Sequence, residues 1–127
     1  MVRFFIPFLS MILLLPVTVQ SQAAEYYYRV YFRDKGNYEI NDFQPLQLLS
    51  ERAVERRQKE QIDILDFRDL PVFSTYLNDL SSRGLTLHCT SKWMNTALFK
   101  TSSAANIDSL LALPFISDIK TVKIPGK

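Results

Sequence analysis

The sequence EYYYRVYF, residues 25–32, has the clearest strand character in the chain. Aromatic and β-branched residues fill it and turn-forming residues follow at positions 34–37, so it predicts a first β-strand. Alternation divides its side chains into two sets that face opposite sides of the sheet: Tyr26, Tyr28, Val30 and Phe32, and Tyr27, Arg29 and Tyr31. Both faces of the strand therefore carry large apolar side chains.

A charged helix is predicted next along the chain. Ser50 has the side chain of a helix N-cap, Glu51 lies in the positive first turn, and Leu49 and Val54 are spaced as a hydrophobic staple. We expect this helix to run from Glu51 to about Gln61. Acidic and basic side chains alternate along it, which favours a solvated helix face over a dedicated anion site.

Two amphipathic helices follow. The first begins after Pro71 and stops at Gly84, and its apolar residues are spaced at i, i+3, i+4 and i+7: Phe73, Tyr76, Leu77 and Leu80. The second is capped by Ser102 or Ser103 and ends before Pro114. Both are expected to bury one face against the sheet.

Three further strands complete the predicted sheet. Residues 85–91 and 95–100 are expected to form a hairpin across residues 92–94, and a last strand covers about residues 117–123. With the charged helix set aside, the order is strand, helix, strand, strand, helix, strand. The predicted fold class is therefore α+β, with a ferredoxin-like split β-α-β antiparallel sheet and an extra N-terminal helix. Both other helices cover one face of that sheet and leave the second face open.

The open face and the chain end indicate binding. An apolar patch on an open sheet favours a partner surface, the alternative being that the charged helix covers it. Residues 119–127 form an extended, β-prone segment that is able to add to the sheet edge of another protein.

Composition excludes several classes of function. The 127 residues hold one small domain, and 15 basic residues against 13 acidic ones are interspersed, so no nucleic-acid partner is expected. The single cysteine, Cys89, follows the single histidine, His88, on a strand, where adjacent side chains face opposite ways. We therefore expect no thiol catalytic pair, no metal site and no cofactor, with Cys89 as a small core residue.

The first 23 residues have the layout of a secretory signal. Arg3 precedes an apolar run over residues 4–19, and the small residues Ser21 and Ala23 follow at the spacing of a cleavage site. A membrane anchor is the alternative, but Pro7, Pro16 and the short span favour removal. We expect a signal peptide over residues 1–23 and a secreted or periplasmic domain over residues 24–127, without stable membrane insertion after cleavage.

Five motifs carry a family resemblance. They occur in the order YRVYFRDK (residues 28–35), LSERAVERR (49–57), DLPV (69–72), SKWMN (91–95) and LPFI (113–116). Together they resemble the N-terminal propeptide of secreted subtilisin-like serine proteases of the Bacteroidetes type, over about residues 26–124. Members of that family are folding chaperones and active-site inhibitors of their own protease.

The resemblance implies a partner and two contact regions. The partner is a subtilisin-like serine protease domain, which the open sheet face packs against while the C-terminal segment lies in the substrate cleft. On this chain the docking face is Tyr27, Arg29 and Tyr31, or the opposite set if the register is reversed. The inhibitory tail comprises the seven residues from Thr121 onward: Thr121, Val122, Lys123, Ile124, Pro125, Gly126 and Lys127. No catalytic residue is implied, so the chain is not expected to be an enzyme.

Several alternatives stay open at this point. The sequence contains no triad-bearing domain, so we expect either a propeptide separated from its catalytic domain, or a free-standing extracytoplasmic inhibitor or envelope interaction domain. An acylphosphatase-like hydrolase on the same fold would need an arginine and an asparagine at a phosphate-binding loop. Only 3 glycines are present and none are clustered, which argues against such a loop.

Overall fold

The computed structural model describes residues 23–126, in which one four-stranded antiparallel sheet is the central element. Its strands are β1 (Tyr26–Phe32), β2 (Thr86–Ser91), β3 (Thr96–Thr101) and β4 (Ile116–Lys123). Their order across the sheet is β2-β3-β1-β4, so β1 is paired on both sides. The α+β class and the antiparallel sheet predicted from the sequence are confirmed.

The helices lie between the strands in the chain. They are α1 (Pro45–Leu48), α2 (Glu51–Lys59), α3 (Ser74–Ser82) and α4 (Ile107–Leu111), with single 3-10 turns at Ile40–Asp42 and Phe67–Asp69. In α2, the Ser50 side chain accepts a hydrogen bond from the Ala53 amide, which satisfies one free donor of the first turn.

The core lies between one face of the sheet and the helices α3 and α4. Across the sheet, β1 sets Val30 beside Ala97 of β3 and Phe32 beside Ile116 of β4. Leu80 of α3 is fully buried on this layer. The buried cluster comprises Val30, Phe32, Val72, Leu80, Leu85, Ala97, Phe99, Leu110 and Ile116.

The cap of α4 differs from the expectation. The N-cap is Asn106, whose side-chain oxygen accepts from the Ser109 amide at 3.1 Å, so the expectation of Ser102 or Ser103 is wrong. The residues before it make a turn instead. The Ser103 amide donates to the Thr101 hydroxyl and the Ala105 amide donates to the Tyr28 hydroxyl, and both bonds compete with a helix beginning there.

The position of Cys89 also differs from the expectation. Its side chain is exposed, so the interpretation of Cys89 as a core residue is wrong. The register of β2 against β3 shifts between Leu87 and Cys89, which brings Cys89 opposite Leu98. The alternation argument for His88 and Cys89 therefore fails, because an extra residue in a strand breaks its two-residue repeat.

The buried ammonium group of Lys35 connects the loops at one end of the sheet through hydrogen bonds. Lys35 is 4% exposed, and its Nζ donates to the carbonyl oxygens of Leu70 and Lys92. Burial lowers the pKa of Lys35. Lys92 in turn donates to the Leu48 carbonyl at 2.5 Å, which attaches α1 to the β2–β3 turn.

An ion pair holds α2 in the same region. Arg57 Nη1 lies 2.6 Å from Asp69 Oδ2, and Arg57 also donates to the Ile64 carbonyl at 2.7 Å. Asp69 is buried at 2% exposure and accepts from the Asp66 amide as well. The hydrogen bond from Arg57 is the main cause that lowers the pKa of Asp69 from 3.8 to about 2.

The different burial of two leucines in α3 predicts different losses of stability when each is replaced by alanine. Leu80 is fully buried, whereas Leu77 packs on the cluster while partly exposed. We expect Leu80→Ala to lower the free energy of unfolding by about 2–5 kcal/mol, and Leu77→Ala by roughly half as much. Urea denaturation measures both values. A loss for Leu77→Ala equal to or larger than that for Leu80→Ala would contradict the packing described here.

The Arg57–Asp69 pair predicts how the stability of the domain depends on pH. Because the pKa of Asp69 is lowered by folding, its stabilisation is present above about pH 4 and is lost as the pH falls toward 2. We expect Asp69→Asn to cost roughly 2 kcal/mol at pH 7, and this difference from the unaltered chain to shrink between about pH 4 and pH 2. Asp63→Asn, at an exposed position, is the control. Equal stability of the two variants at pH 7 would show that the pair contributes nothing.

Candidate functional site

The sheet face opposite the core holds the three strand residues singled out from the sequence. Tyr27, Arg29 and Tyr31 are partly exposed there, whereas the alternating residues Tyr28 and Val30 are buried in the core. We call the surface around them the open face, defined by residues of β1 and by those of their registered neighbours on β3 and β4 that are not buried: Tyr27, Arg29, Tyr31, Leu98, Lys100, Asp118, Lys120 and Lys123.

Lysine side chains lie over the tyrosine rings of this face. Lys120 Nζ is 5.3 Å from the centre of the Tyr31 ring, and Lys123 Nζ is 5.7 Å from that of Tyr27. Both distances are within the range of a cation–π interaction. The sequence indicated an apolar patch, but the open face consists of aromatic rings with cationic groups above them. In general, the apolar stem of a lysine packs along apolar surface while its charged group stays in water.

A polar cluster lies at the edge of the open face, beside the first residues of β1. The Tyr27 hydroxyl donates to Glu25 at 2.8 Å, and Lys100 Nζ lies 3.2 Å from the same carboxylate. The hydrogen bond from Tyr27, followed by that from Lys100, lowers the pKa of Glu25, and the bond to Glu25 raises the pKa of Tyr27. The His88 ring packs edge-on against Tyr27, with 5.5 Å between ring centres. Tyr27 is therefore fixed in place by its neighbours.

The predicted tail is divided between the sheet and the residues beyond it. Thr121 and Lys123 are registered with Tyr28 and Tyr27, so residues 121–123 are the last part of β4. Val122 is 53% exposed at the register shift between them. Residues 124–126 continue past the strand, with Ile124 exposed, and position 127 is outside the described residues.

The sequence does not single out Lys100 or Lys120, and it assigns Lys123 to the tail and not to the open face. A strict two-residue repeat would set Lys120 and Lys123 on opposite faces of β4, because they are three positions apart. The register shift next to Tyr27 brings both to the same side. The lysines at positions 120, 123 and 127 are visible in the sequence and are the pattern that could have indicated a basic surface. No sequence motif indicates the register shift that brings Lys120 and Lys123 to one side.

The described residues offer neither a metal site nor a membrane-spanning helix. Over positions 23–126, no group of three or more His, Cys, Asp or Glu side chains is arranged to hold a metal ion. None of the helices in this part of the chain is both long and apolar enough to cross a bilayer. The predicted signal peptide, apart from Ala23, lies outside the described residues.

Comparisons with known proteins give one result. Neither the curated proteins nor the solved structures that were searched gave a match. The family model of the peptidase S8 propeptide domain of Bacteroidota matches residues 27–126, which extend from the second residue of β1 through β4 to the residues that follow it. This chain therefore belongs to the family of peptidase S8 propeptide domains of Bacteroidota.

Proposed function

We propose that this chain assists the folding of a subtilisin-like serine protease and inhibits it by occupying its active site. Family membership supports a protease partner. The chain would act through binding alone, with the open face on the protease surface and the residues after β4 in the substrate cleft. Binding of this kind uses main-chain hydrogen bonds and requires no catalytic group.

The arrangement of elements supports a ferredoxin-like assignment of the domain. Two helix-containing connections, through α3 and α4, join strands in the order β2-β3-β1-β4, and both helices pack on one face. The charged helix α2 is an addition to this plan, held through Arg57 and Asp69. We infer that this layout leaves the second face of the sheet available for the protease.

The observation that carries the proposal is the position of the tail relative to the open face. Lys123, the last residue of β4, is registered with Tyr27 and lies over its ring. Ile124 therefore leaves the sheet at the edge of the open face. A protease that binds the face receives the tail at a raised effective concentration, so the two contacts reinforce each other.

The place of action that we infer is outside the cytoplasm. The support is the signal-like layout of residues 1–23, with cleavage near Ala23. Secretion or export to the periplasm would bring the domain to the compartment in which exported proteases fold. A free-standing inhibitor would use the same two contacts in trans.

The test is inhibition of a peptidase S8 catalytic domain from the same organism. We expect residues 24–127 to inhibit it, and a chain ending at Lys123 to inhibit about 100-fold less well, because it loses the cleft contacts and keeps the docking contacts. Residual peptidase activity against inhibitor concentration gives both constants. In a third chain, residues 124–127 are replaced by glycine and serine. This chain keeps the length of the tail but lacks its side chains, so it shows whether inhibition depends on the side chains or on the length alone.

Circular dichroism melts are the folding control, and all three chains are expected to unfold alike because residues 124–126 lie outside the buried core cluster. Equal inhibition by the full and the shortened chain would remove the tail from the mechanism. If the full chain inhibits no such protease, the proposed function is wrong and an envelope interaction domain is the remaining candidate.

A further inference from the structure

The open face carries an excess of positive charge that the composition does not suggest. The whole chain has a formal charge of +2, with its basic and acidic residues interspersed. Yet the surface defined above, together with Glu25 at its edge, contains four cations, Arg29, Lys100, Lys120 and Lys123, against two anions, Glu25 and Asp118. The excess thus arises from the register of the strands.

Three of these cations lack an ion-pair partner among the residues that the structure describes. Lys100 is paired with Glu25, at 3.2 Å. Over residues 23–126, no carboxylate oxygen lies within 4 Å of the charged nitrogens of Arg29, Lys120 or Lys123. Contact with a neutral or apolar partner would strip water from these groups without replacing its hydrogen bonds, which is costly.

We propose that the open face binds an acidic surface, one whose carboxylates lie opposite Arg29, Lys120 and Lys123. This inference rests on the proposed function, because it specifies the chemistry of the protease surface that the face contacts. Carboxylates would restore the lost hydrogen bonds and would accept charge-assisted ones. The rings of Tyr27 and Tyr31 would supply the apolar contact area between the charges.

A protein surface fits this face better than nucleic acid or an anionic membrane. Tyr27, Tyr31 and Leu98 separate the cations, and Asp118 lies among them. Nucleic-acid interfaces are much more strongly positive than this. Membrane-binding basic clusters lie beside a transmembrane helix or on an amphipathic helix, whereas these cations lie on a sheet. A surface that alternates carboxylates with apolar groups matches both features of the open face.

The inference predicts that electrostatic attraction accelerates association. Complementary charges raise the association rate at low salt and are screened at high salt. We expect association of residues 24–127 with the catalytic domain to slow by about tenfold or more between roughly 20 mM and 500 mM NaCl. Stopped-flow or surface plasmon resonance measurements give the rate constants at each concentration.

A pair of charge-reversed variants assigns the effect to the face. We expect Lys120→Glu with Lys123→Glu to slow association at low salt by about tenfold or more and to abolish most of the salt dependence. The matched control is Arg52→Glu with Lys59→Glu, which makes the same change of charge at exposed positions of α2. The single variant Lys120→Glu tests the face without altering Lys123, the residue that precedes Ile124.

The outcomes separate this inference from the proposed function. If the unaltered chain neither binds nor inhibits a protease, the proposed function fails first. If it inhibits, but its association rate is independent of salt and unchanged by Lys120→Glu with Lys123→Glu, the acidic partner surface is refuted while the function stands. Equal slowing by the α2 control would also refute it, since net charge alone would explain the result. Salt-sensitive binding to anionic vesicles or single-stranded DNA, without salt-sensitive binding to the protease, would assign the face to a different partner.

Discussion

The structure depends on the two-residue repeat of one doubly paired strand, β1. Because β3 and β4 flank it, every second side chain must enter the core, and Val30 and Phe32 do so while being almost completely buried. The side chains between them must then point to the opposite face, where Tyr27, Arg29 and Tyr31 lie. A slip of one residue would exchange the two sets, burying Arg29 and exposing Val30, so the burial of the core also fixes the composition of the open face.

A second constraint lies at the end of the sheet, where the loops meet around the ammonium group of Lys35. The motifs that carry the family resemblance converge there: Lys35 binds the carbonyl groups of Leu70 and Lys92, and Arg57 binds Asp69. Asn95 adds to this, since its side chain donates to the carbonyl groups of Phe32 and Asp34 while its backbone has a φ of +51°. The role of these motif residues is therefore to stabilise the loops. The proposed binding surface lies elsewhere, on the strands, and the motifs include only some of its residues.

Local patterns in the sequence predict the regular parts of this fold and fail where strands depart from regularity. The alternation of residues 25–32 and the spacing of Phe73, Tyr76, Leu77 and Leu80 predict β1 and α3, because each pattern reflects burial of one side of a regular element. Alternation wrongly predicts Cys89 as a core residue, and it does not set Lys123 on the open face, because each adjoins a register shift that depends on the partner strand. The cap of α4 was assigned to Ser102 or Ser103 because tertiary bonds, such as that from Ala105 to Tyr28, are invisible in the local sequence.

The central claim is that the face of β1 opposite the core is the surface that meets the protease. Hydroxyl-radical footprinting of residues 24–127, free and bound to a peptidase S8 catalytic domain, tests this at the level of side chains. Tyr27 and Tyr31 report on the open face, while Tyr38 and Tyr76 report on the side that carries α3, where both rings pack against Phe73. The account predicts that oxidation of Tyr27 and Tyr31 falls in the complex and that of Tyr38 and Tyr76 is unchanged. Protection of Tyr38 and Tyr76 with Tyr27 and Tyr31 still reactive would contradict it.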